Sequence, residues 1–358
     1  MQKLLYITNG INGAGGLERV LSVKASALAD MGYDVSILVL NNTHLNPFYT
    51  FHPNIRFVSI NVKGNPLNYW KSYSGGIKRV VQQIQPEIIS VCDDGFKAFF
   101  IPKFLKTNAK IIYERHVSKL IESHDADSGL KKFVTHIKWW LMERLASNFT
   151  KFVVLTHGNK NEWPTLSNLV VIPNPLSFYP MVSSPLDRKI VISVGRITYQ
   201  KGQDLLVKVW ALVHEKFPDW ELHLYGKEDL KVLDTVNLTN NVFHFPPEKN
   251  IEEKYLHSSI YVMSSRFEGF GMVLTEAMAC GVPCVSFNCD YGPADIIENG
   301  IDGYIVEKED IFALADKLML LMQDSEMRKK MGKKAKENVK RFNVNEVVQQ
   351  WDELFKNC

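Results

Sequence analysis

Apolar residues recur along this chain in short runs that alternate with longer stretches of helical spacing. In the first half the runs begin with KLLYIT at 3–8 and DVSILVL at 34–40 and continue with IRFVSI, EIISVC, KIIYE and FVVLT. Between the first two runs, LERVLSVKASALADMGY repeats its apolar residues with a helical period and stops near Gly32. Buried strands that alternate with helices are typical of a parallel sheet covered on both faces. The first half therefore predicts a doubly wound α/β domain.

The same rhythm begins again in the second half. KIVISVG leads through RITYQKGQ into the helical stretch DLLVKVWALVHEKFP, and the runs WELHLYG, NVFHF, SIYVMSS and CVSF follow. Four prolines interrupt both periods at 171–189. We therefore predict two Rossmann-like doubly wound domains, 1–177 and 178–340, that face each other across a cleft. We expect 341–358 to form a helix that packs back on the first domain.

Composition narrows the class of protein. A chain of 358 residues with 46% apolar and 23% charged residues is a two-domain globular protein by default, and a formal charge of +3 is too small to indicate a nucleic-acid partner. Five cysteines form no even disulfide framework, and the spacing of Cys280, Cys284 and Cys289 is not that of a zinc site, so we interpret these three as structural thiols.

The N-terminal apolar run is too short for a signal peptide, and no stretch approaches the roughly 18 apolar residues of a membrane-spanning helix. We therefore expect a cytoplasmic protein that is at most peripheral on the inner face of the cytoplasmic membrane.

A glycine-rich turn, NGINGAGG, follows the first strand and ends at Gly15 and Gly16. It does not match the dinucleotide fingerprint, because the spacing from Gly13 requires glycine at 18, where the chain has Glu18. A glycine loop that opens a helix still favours an anion, since backbone N–H groups and the helix dipole point toward it. The alternative is a turn that only connects strand to helix.

The corresponding turn of the second half carries two cations, Arg196 and Lys201, between Gly195 and Gly202. Past the carboxyl end of a strand, where ligands of such folds bind, they are well placed to neutralise a diphosphate without a metal ion. The alternative is a solvated surface pair.

The stretch SSRFEGFGMVLTEAMACGVP combines two carboxylates with a glycine turn and an apolar helix. Gly269 and Gly271 let the backbone approach a ligand, and the first helical turn offers amide donors. Glu268 stands before the turn and Glu276 lies more than one turn inside the helix, and each carboxylate can accept two hydrogen bonds from a vicinal diol. The alternative is a charge at the helix start and a Glu276 that faces solvent.

With these motifs the chain resembles the family-4 retaining glycosyltransferases of the GT-B fold. The segment from Glu268 to Glu276 looks like their E-x7-E motif, GRITYQKG like their R-x4-K phosphate pair, and GAGGLERV like their N-terminal glycine loop. VIPNP and GPADIIENGIDGYIV are also similar to family landmarks, so the resemblance covers nearly the whole chain.

The resemblance implies transfer of a hexose or N-acetylhexosamine, with retention and without a cofactor or metal, from a nucleotide-sugar donor to a glycan or lipid-linked acceptor of surface polysaccharide assembly. Arg196 and Lys201 would contact the diphosphate, Glu276 the ribose hydroxyls, and Glu268 the transferred sugar. The donor-binding residues that it implies are Gly15, Gly16, Arg196, Lys201, Glu268, Phe270, Gly271, Met272, Val273 and Glu276.

The chain departs from the family pattern in three places. Many members carry a catalytic-site histidine after a strand of the first domain, and here YERHVSK offers both Arg115 and His116. These two join Glu268, Arg196 and Lys201 as the catalytic candidates. GKED replaces the usual glycine and acid after the HLYG strand, and HFPPEKN replaces a glycine-containing loop near the nucleobase. UDP is the default nucleotide from the most similar subgroup.

Three other functions compete with this interpretation. A metal-dependent glycosyltransferase of the GT-A fold needs an Asp-x-Asp motif at a strand end, but Asp125-Ala126-Asp127 precedes a helix near Gly129, which Asp127 or Ser128 would cap. A nucleotide-sugar epimerase of the same architecture would need no acceptor. The third alternative is a non-catalytic module that binds a nucleotide sugar without transferring it to an acceptor.

A basic, aromatic helix is a candidate membrane contact. Between 97 and 160 there are 12 Lys and Arg against 5 Asp and Glu. Within this segment an apolar stripe at helical spacing contains Phe133, Ile137, Trp140, Leu141 and Leu145, while the residues off the stripe are Lys131, Lys132, Lys138 and Trp139. Such a helix can lie on an anionic membrane surface. The alternative is an amphipathic helix that packs on the first domain with its lysines in water.

Overall fold

The structure, a computed structural model, describes five segments of the chain: residues 1–13, 15–41, 46–119, 129–227 and 241–358, except for the side chains of 129–132. These residues form two compact units. The first contains Met1–Ser177 together with Val344–Cys358, and the second contains Phe178–Asn343. The division after Ser177 falls within the proline-containing segment 171–189.

The second unit ends at Asn343 rather than at 340. The turn Val339–Phe342 stays with it, because the Phe342 ring packs edge-on against Phe270 at 5.5 Å between centroids. Arg341 also donates a hydrogen bond from Nη2 to the carbonyl oxygen of Ile296 at 2.6 Å. The last helix begins only after this turn and belongs to the first unit.

The first unit contains a parallel sheet of seven strands in the order β3-β2-β1-β4-β5-β6-β7. The strands are β1 (Lys3–Thr8), β2 (Asp34–Leu40), β3 (Arg56–Ile60), β4 (Ile88–Cys92), β5 (Lys110–Glu114), β6 (Lys151–Val154) and β7 (Leu169–Val171). Its described helices are α1 (Gly16–Asp30), α2 (Pro66–Ile84), α3 (Ile101–Phe104), α4 (Gly129–Ala146) and the last helix of the chain, α11 (Val344–Lys356).

The second unit contains a parallel sheet of six strands in the order β10-β9-β8-β11-β12-β13. The strands are β8 (Ile190–Val194), β9 (Glu221–Tyr225), β10 (Val242–Phe245), β11 (Ile260–Met263), β12 (Cys284–Phe287) and β13 (Gly303–Val306). The described helices are α5 (Gln203–Lys216), α6 (Ile251–Leu256), α7 (Met272–Ala279), α8 (Pro293–Ile296), α9 (Ile311–Gln323) and α10 (Ser325–Asn338).

Both sheets confirm the predicted pair of Rossmann-like domains. The continuous apolar runs form the central strands, and α1 and α11 cover the same face of the first sheet, where Val347 and Phe355 join the core that contains Leu4 and Ile37. None of the helices in the described part of the chain combines the length and the apolar character needed to cross a membrane.

The strand order of each sheet reverses beside its first strand. β1 lies between β2 and β4, and β8 lies between β9 and β11. Loops that leave the carboxyl ends on either side of such a reversal diverge and open a crevice, which is where open α/β sheets bind ligands. The candidate residues of the second unit follow β8 and β11, and His116 of the first unit follows β5.

The three clustered cysteines are buried free thiols. Burial raises the pKa of Cys280, Cys284 and Cys289. Among the described residues, these three thiols do not belong to a group of three ligand atoms that lie close enough together to hold a metal ion.

Candidate active site

The turn after β8 lies directly against the end of β11. Gly202 has φ +67°, and a Cβ atom at this position would lie 2.1 Å from the carbonyl oxygen of Ser264. Ser264 Oγ in turn donates to the carbonyl oxygen of Lys201 at 3.0 Å. A glycine at 202 therefore brings the two loops at the point of strand reversal into contact. Arg196, on the same turn, is exposed.

Lys201 and Glu268 form an ion pair, with 2.7 Å between Nζ and Oε1, at the junction of these loops. The side chains are 19% and 7% exposed, respectively. Ser265 Oγ also donates to Oε1 of Glu268, at 2.6 Å. Among the described residues none donates a hydrogen bond to Oε2. The sequence indicated a ligand contact for each residue, and the structure adds that they bind each other.

A glycine turn and α7 follow Glu268. Gly271 caps the helix with φ +93°, a conformation that L side chains rarely adopt. Phe270 is buried, and a Cβ at Gly292 would lie 2.1 Å from its carbonyl oxygen, so the turn is closely packed. Met272 and Val273, the first helical residues, are half-buried. The first-turn amides of a helix have no intrahelical partner and favour an anion.

Glu276 lies inside the protein. Its residue exposure is 3%, and the hydroxyl of the buried Tyr255 donates to Oε2 at 3.4 Å. The alternative of a solvent-facing Glu276 is therefore wrong. A buried carboxylate carries a large desolvation cost unless polar groups bind it.

Arg266 is a residue of this region that the sequence reasoning missed. It donates to both carboxylate oxygens of Asp204, at 2.8 and 2.7 Å, and to Glu309 at 3.0 Å. Its guanidinium carbon lies 3.9 Å from the ring centroid of Tyr199. Because Asp204 opens α5, this bidentate pair ties the end of β11 to the turn that carries Lys201. An arginine two residues before Glu268 was the available signal.

In the first unit the glycine loop encloses a carboxylate of the chain itself. A Cβ atom at Gly13 would lie 2.5 Å from Oε1 of Glu18, and one at Gly15 would lie 2.4 Å from Oε2. Gly15 is the N-cap of α1, which starts at Gly16, so Glu18 folds back over the first turn as in a capping box. An anionic ligand at Gly15 and Gly16 would have to share this place with Glu18.

A polar cluster lies at the strand reversal of the first sheet. Asn9 follows β1 and donates from Nδ2 to Oδ1 of Asp93, which follows β4, at 2.8 Å. Lys97 donates to Oδ1 of Asn9 at 2.8 Å and lies 3.0 Å from Oδ2 of Asp93. The sequence analysis did not single out these residues, because none belongs to a recognisable motif.

The structure separates the two residues that YERHVSK left open. Arg115 Nη1 donates to the carbonyl oxygen of Asp94 at 3.2 Å, and its guanidinium lies 5.9 Å from the ring centroid of Trp163. The ring of His116 instead contacts Glu114, with 3.2 Å between Nε2 and Oε2. The backbone N–H of His116 donates to Oδ1 of Asp94, also at 3.2 Å.

Glu114 is a buried carboxylate with three partners. Lys24 of α1 forms an ion pair with Oε2, and Ser90 Oγ donates to Oε1 at 2.5 Å. Burial by itself would raise the pKa of Glu114, but Lys24 and His116 lower it to about 2. Glu114 is therefore ionised at neutral pH.

One group of potential metal ligands occurs in the described segments: the ligand atoms of Cys92, Glu114 and His116 lie within 4.8 Å of one another. Burial raises the pKa of Cys92, and Glu114 already binds the Lys24 ammonium. A protonated thiol and an occupied carboxylate suit a hydrogen-bond network better than a cation. Asp125, Asp127 and the Glu228-Asp229 part of GKED lie outside the described residues.

The apolar stripe of α4 divides into an exposed and a packed part. Phe133, Ile137 and Trp140 are 64%, 49% and 58% exposed, whereas Leu145 is buried. Trp139, which was expected off the stripe, packs against the core of the first unit with Leu141. The expectation of one continuous stripe is therefore wrong, because the packed face is rotated toward Trp139. Lys138 is half-buried, and the side chains of Lys131 and Lys132 lie outside the described residues.

Comparison with known proteins identifies the class of enzyme. Residues 181–338 match the family "Glycosyl transferases group 1", and residues 14–177 match "Glycosyltransferase Family 4". The amylovoran biosynthesis glycosyltransferase AmsD of Erwinia amylovora is 30% identical over 375 residues, which cover 99% of each chain. The chain therefore belongs to the family-4 glycosyltransferases of the GT-B fold. It is a glycosyltransferase of polysaccharide or glycan biosynthesis.

Solved structures show the same fold. The sucrose-phosphate synthase of Thermosynechococcus elongatus aligns with a TM-score of 0.82 at 18% identity, over 100% of this chain and 99% of that chain. HepE of Anabaena, in complex with UDP and glucose, aligns with a TM-score of 0.79 at 17% identity, over 100% of both chains.

Proposed function

We propose that this protein is a retaining, metal-independent glycosyltransferase. It moves a hexose or N-acetylhexosamine from a UDP-sugar to a glycan or lipid-linked acceptor in surface polysaccharide assembly. The observation that carries the proposal is the Lys201–Glu268 ion pair, at 2.7 Å, where the loops after β8 and β11 meet. A cation that can bind the departing diphosphate and a carboxylate that can bind sugar hydroxyls lie side by side at the ligand-binding edge of the sheet.

The donor residues have distinct roles in this proposal. Arg196 and Lys201 bind the diphosphate and stabilise the charge that develops as it leaves. Glu276 accepts hydrogen bonds from the ribose hydroxyls. Glu268 binds hydroxyls of the transferred sugar with the support of the backbone around Phe270, Gly271, Met272 and Val273, whose amides face the phosphate.

The reaction exchanges one bond for another at the anomeric carbon. Its bond to the diphosphate oxygen breaks, and a bond to the acceptor hydroxyl oxygen forms with the same anomeric configuration. The acceptor proton passes to the departing phosphate. We assign His116, rather than Arg115, to a hydrogen bond with the transferred sugar or the leaving phosphate, because Arg115 is directed toward Asp94 and Trp163.

Two observations support the finer parts of the proposal. HepE was solved with UDP and glucose, which favours UDP as the nucleotide. The exposed face of α4, with Phe133, Ile137 and Trp140 in a basic segment, supports a peripheral contact with an anionic membrane surface and hence a lipid-linked acceptor.

The test is incubation of the protein with UDP-glucose, UDP-galactose and UDP-N-acetylglucosamine, with and without lipid-linked acceptors. We expect release of UDP to require an acceptor, to occur with one of the three UDP-sugars, and to persist in the presence of a chelator. The product should have the anomeric configuration of the donor. Interconversion of UDP-sugars without an acceptor would indicate an epimerase. Binding of UDP-sugars without turnover on any acceptor would indicate a non-catalytic module, and dependence on added manganese or magnesium would refute metal independence.

A further inference from the structure

A buried ion pair in the first unit has no role in the proposed donor site. Lys24 and Glu114 are each 1% exposed and come from α1 and from the end of β5. A buried ion pair is weak evidence for stability, because well-packed apolar residues can replace it without loss. Lys24 interrupts the apolar face of α1 at a fully buried position, so the pair calls for a functional explanation.

The ion pair connects directly to the candidate histidine. Oε2 of Glu114 both accepts from the Lys24 ammonium and lies 3.2 Å from Nε2 of His116. Since Glu114 has a pKa of about 2, its carboxylate is ionised and can only accept. The proton between the two residues therefore belongs to Nε2 of His116, which leaves Nδ1 as the ring nitrogen that can bind a substrate oxygen or exchange a proton.

The last helix of the chain encloses the other side of Lys24. The Trp351 ring centroid of α11 lies 4.1 Å from Nζ of Lys24, and that of Tyr6 lies at 5.2 Å. A desolvated ammonium gains from the face of an aromatic ring. A hydrogen bond of 2.7 Å from the Tyr33 hydroxyl to Asp352 holds α11 in place beside Trp351.

We propose that Trp351, Lys24 and Glu114 are positioning residues that fix the orientation and the Nε2–H tautomer of His116. Trp351 and Lys24 keep Glu114 ionised, and the ionised Glu114 holds the histidine ring. The carboxylate-to-histidine bond that orients the base of a serine protease has the same logic. The catalytic relevance of this arrangement rests on the proposed function, in which His116 contacts the sugar or phosphate.

The test measures the tautomer directly. The whole chain of 358 residues is labelled with 15N at histidine, and the His116 signals are identified by their loss in His116→Gln. Wild type is expected to show the Nε2–H tautomer at neutral pH. In Lys24→Met, Glu114 loses its counter-ion, becomes protonated because burial favours the neutral acid, and donates to Nε2, so the ring shifts to the Nδ1–H tautomer.

Turnover is expected to follow the tautomer. Loss of the partner that orients a metal-ligating histidine typically costs about ten- to a hundredfold, and we expect a loss of similar size in kcat for Lys24→Met, with little change in the donor KM. Trp351→Phe keeps an aromatic face and should retain both tautomer and turnover, whereas Trp351→Leu should lower both the Nε2–H population and kcat.

Lys119→Met provides the matched control. Lys119 is also buried in the first unit, 3.9 Å from the ring centroid of Trp163 and paired with Glu143 at 2.7 Å. In the described part of the chain its side chain pairs with Glu143 and Glu162, and it forms no hydrogen bond or ion pair with His116, so the variant should keep the Nε2–H tautomer. An unchanged tautomer in Lys24→Met would overturn the proposal, and so would an equal loss of turnover in both variants.

If Lys24→Met does not fold, Lys24→Met/Glu114→Gln removes both charges together and avoids an unpaired buried ion. Retention of a fixed Nε2–H tautomer and full turnover in this double variant would also overturn the proposal. If His116→Gln keeps wild-type turnover, the catalytic role assigned to His116 fails, while the tautomer measurements still decide whether the positioning network exists.

Discussion

Each unit contains a Lys–Glu pair in which the glutamate follows or ends a parallel strand. In the first unit Lys24 binds Glu114, and Ser90 donates to the same carboxylate. In the second unit Lys201 binds Glu268, and Ser265 donates to that carboxylate. The two pairs differ in exposure: 1% and 1% for the first pair, against 19% and 7% for the second.

This difference in exposure separates two uses of the same chemistry. A partly exposed lysine can leave its carboxylate when a diphosphate offers a stronger partner, because water and the ligand replace the lost bond. A fully buried pair cannot separate without leaving an uncompensated ion in a medium of low dielectric constant. The accessible pair is therefore suited to bind a ligand, and the buried pair to hold another residue in place.

The first prediction, with the largest expected effect, compares two variants in which the glutamate of one pair is replaced by glutamine. Glu114→Gln leaves the Lys24 ammonium buried without a counter-ion, and we expect a loss of about 3–5 kcal/mol in the free energy of unfolding. Glu268→Gln, the matched variant of the accessible pair, should cost only about 1 kcal/mol, because Lys201 can turn toward water. Denaturant unfolding of both variants measures the difference, and equal losses would remove the distinction between the pairs.

The same pair predicts how stability changes with pH. The pKa of Glu114 is lowered from 4.5 to about 2 in the folded protein. Its contribution to stability is therefore fully present above pH 4.5 and is lost as the pH falls through about 2. The slope of unfolding free energy against pH in this window should decrease in Glu114→Gln and remain in Glu268→Gln.

The residues of the accessible pair could be singled out from the sequence, although their contact with each other could not, and Lys24 and Glu114 of the buried pair were not singled out at all. Arg196, Lys201, Glu268 and Glu276 lie in short motifs with glycines, and local spacing suffices to recognise such motifs. The buried network joins Lys24 to Glu114 across 90 positions and reaches Trp351 on the last helix. Each of these residues is unremarkable in its own segment, and only the packing of α1 and α11 on one face of the sheet brings them together.

The fold shows the same division. Apolar runs predicted both parallel sheets, because strands buried on both faces leave a continuous signal. The packed face of α4 was misjudged, since periodicity gives an apolar stripe but not the direction in which tertiary contacts rotate the helix. Trp139 faces the core while Trp140 faces outward.

The second prediction concerns the cations beside the accessible pair. Arg196→Ala and Lys201→Ala each remove positive charge from the leaving diphosphate, and loss of one such stabilising group costs about a hundred- to a thousandfold in turnover. Initial rates at saturating UDP-sugar measure the effect. Lys189→Ala, which removes an exposed ion pair with Asp219 in the same unit, should leave turnover unchanged. Wild-type rates in both site variants would refute the diphosphate assignment.

The third prediction concerns Glu276. Loss of a carboxylate that accepts ribose hydroxyls should cost about 1.5–3 kcal/mol, so Glu276→Gln should weaken UDP-sugar binding by about ten- to a hundredfold. Calorimetry with UDP and with the UDP-sugar measures it, and Tyr255→Phe, which removes only the hydroxyl 3.4 Å from Oε2, serves as the milder comparison. Unchanged affinity for both ligands in Glu276→Gln would show that the buried carboxylate is structural.

The smallest effect is expected for membrane binding by α4, the helix on which Phe133, Ile137 and Trp140 are exposed. Insertion of Phe133, Ile137 and Trp140 into the interface of a membrane removes apolar area from water, at about 25 cal/mol per Å², and nearby basic residues attract anionic lipid. Exchange of all three for Ser should lower sedimentation with anionic vesicles by about tenfold. Added salt should weaken wild-type binding, since exposed charges are screened.

Leu67→Ser and Phe312→Ser are the controls for this measurement, because both side chains are strongly exposed, at 74% and 65%, and lie on other helices. Neither change should affect vesicle binding, since a membrane contact depends on apolar residues that share one face. If the controls lower binding as much as the α4 variant, the association is non-specific. If wild type does not sediment at low salt, the exposed face of α4 no longer supports a lipid-linked acceptor, and a soluble glycan becomes the better substrate to test.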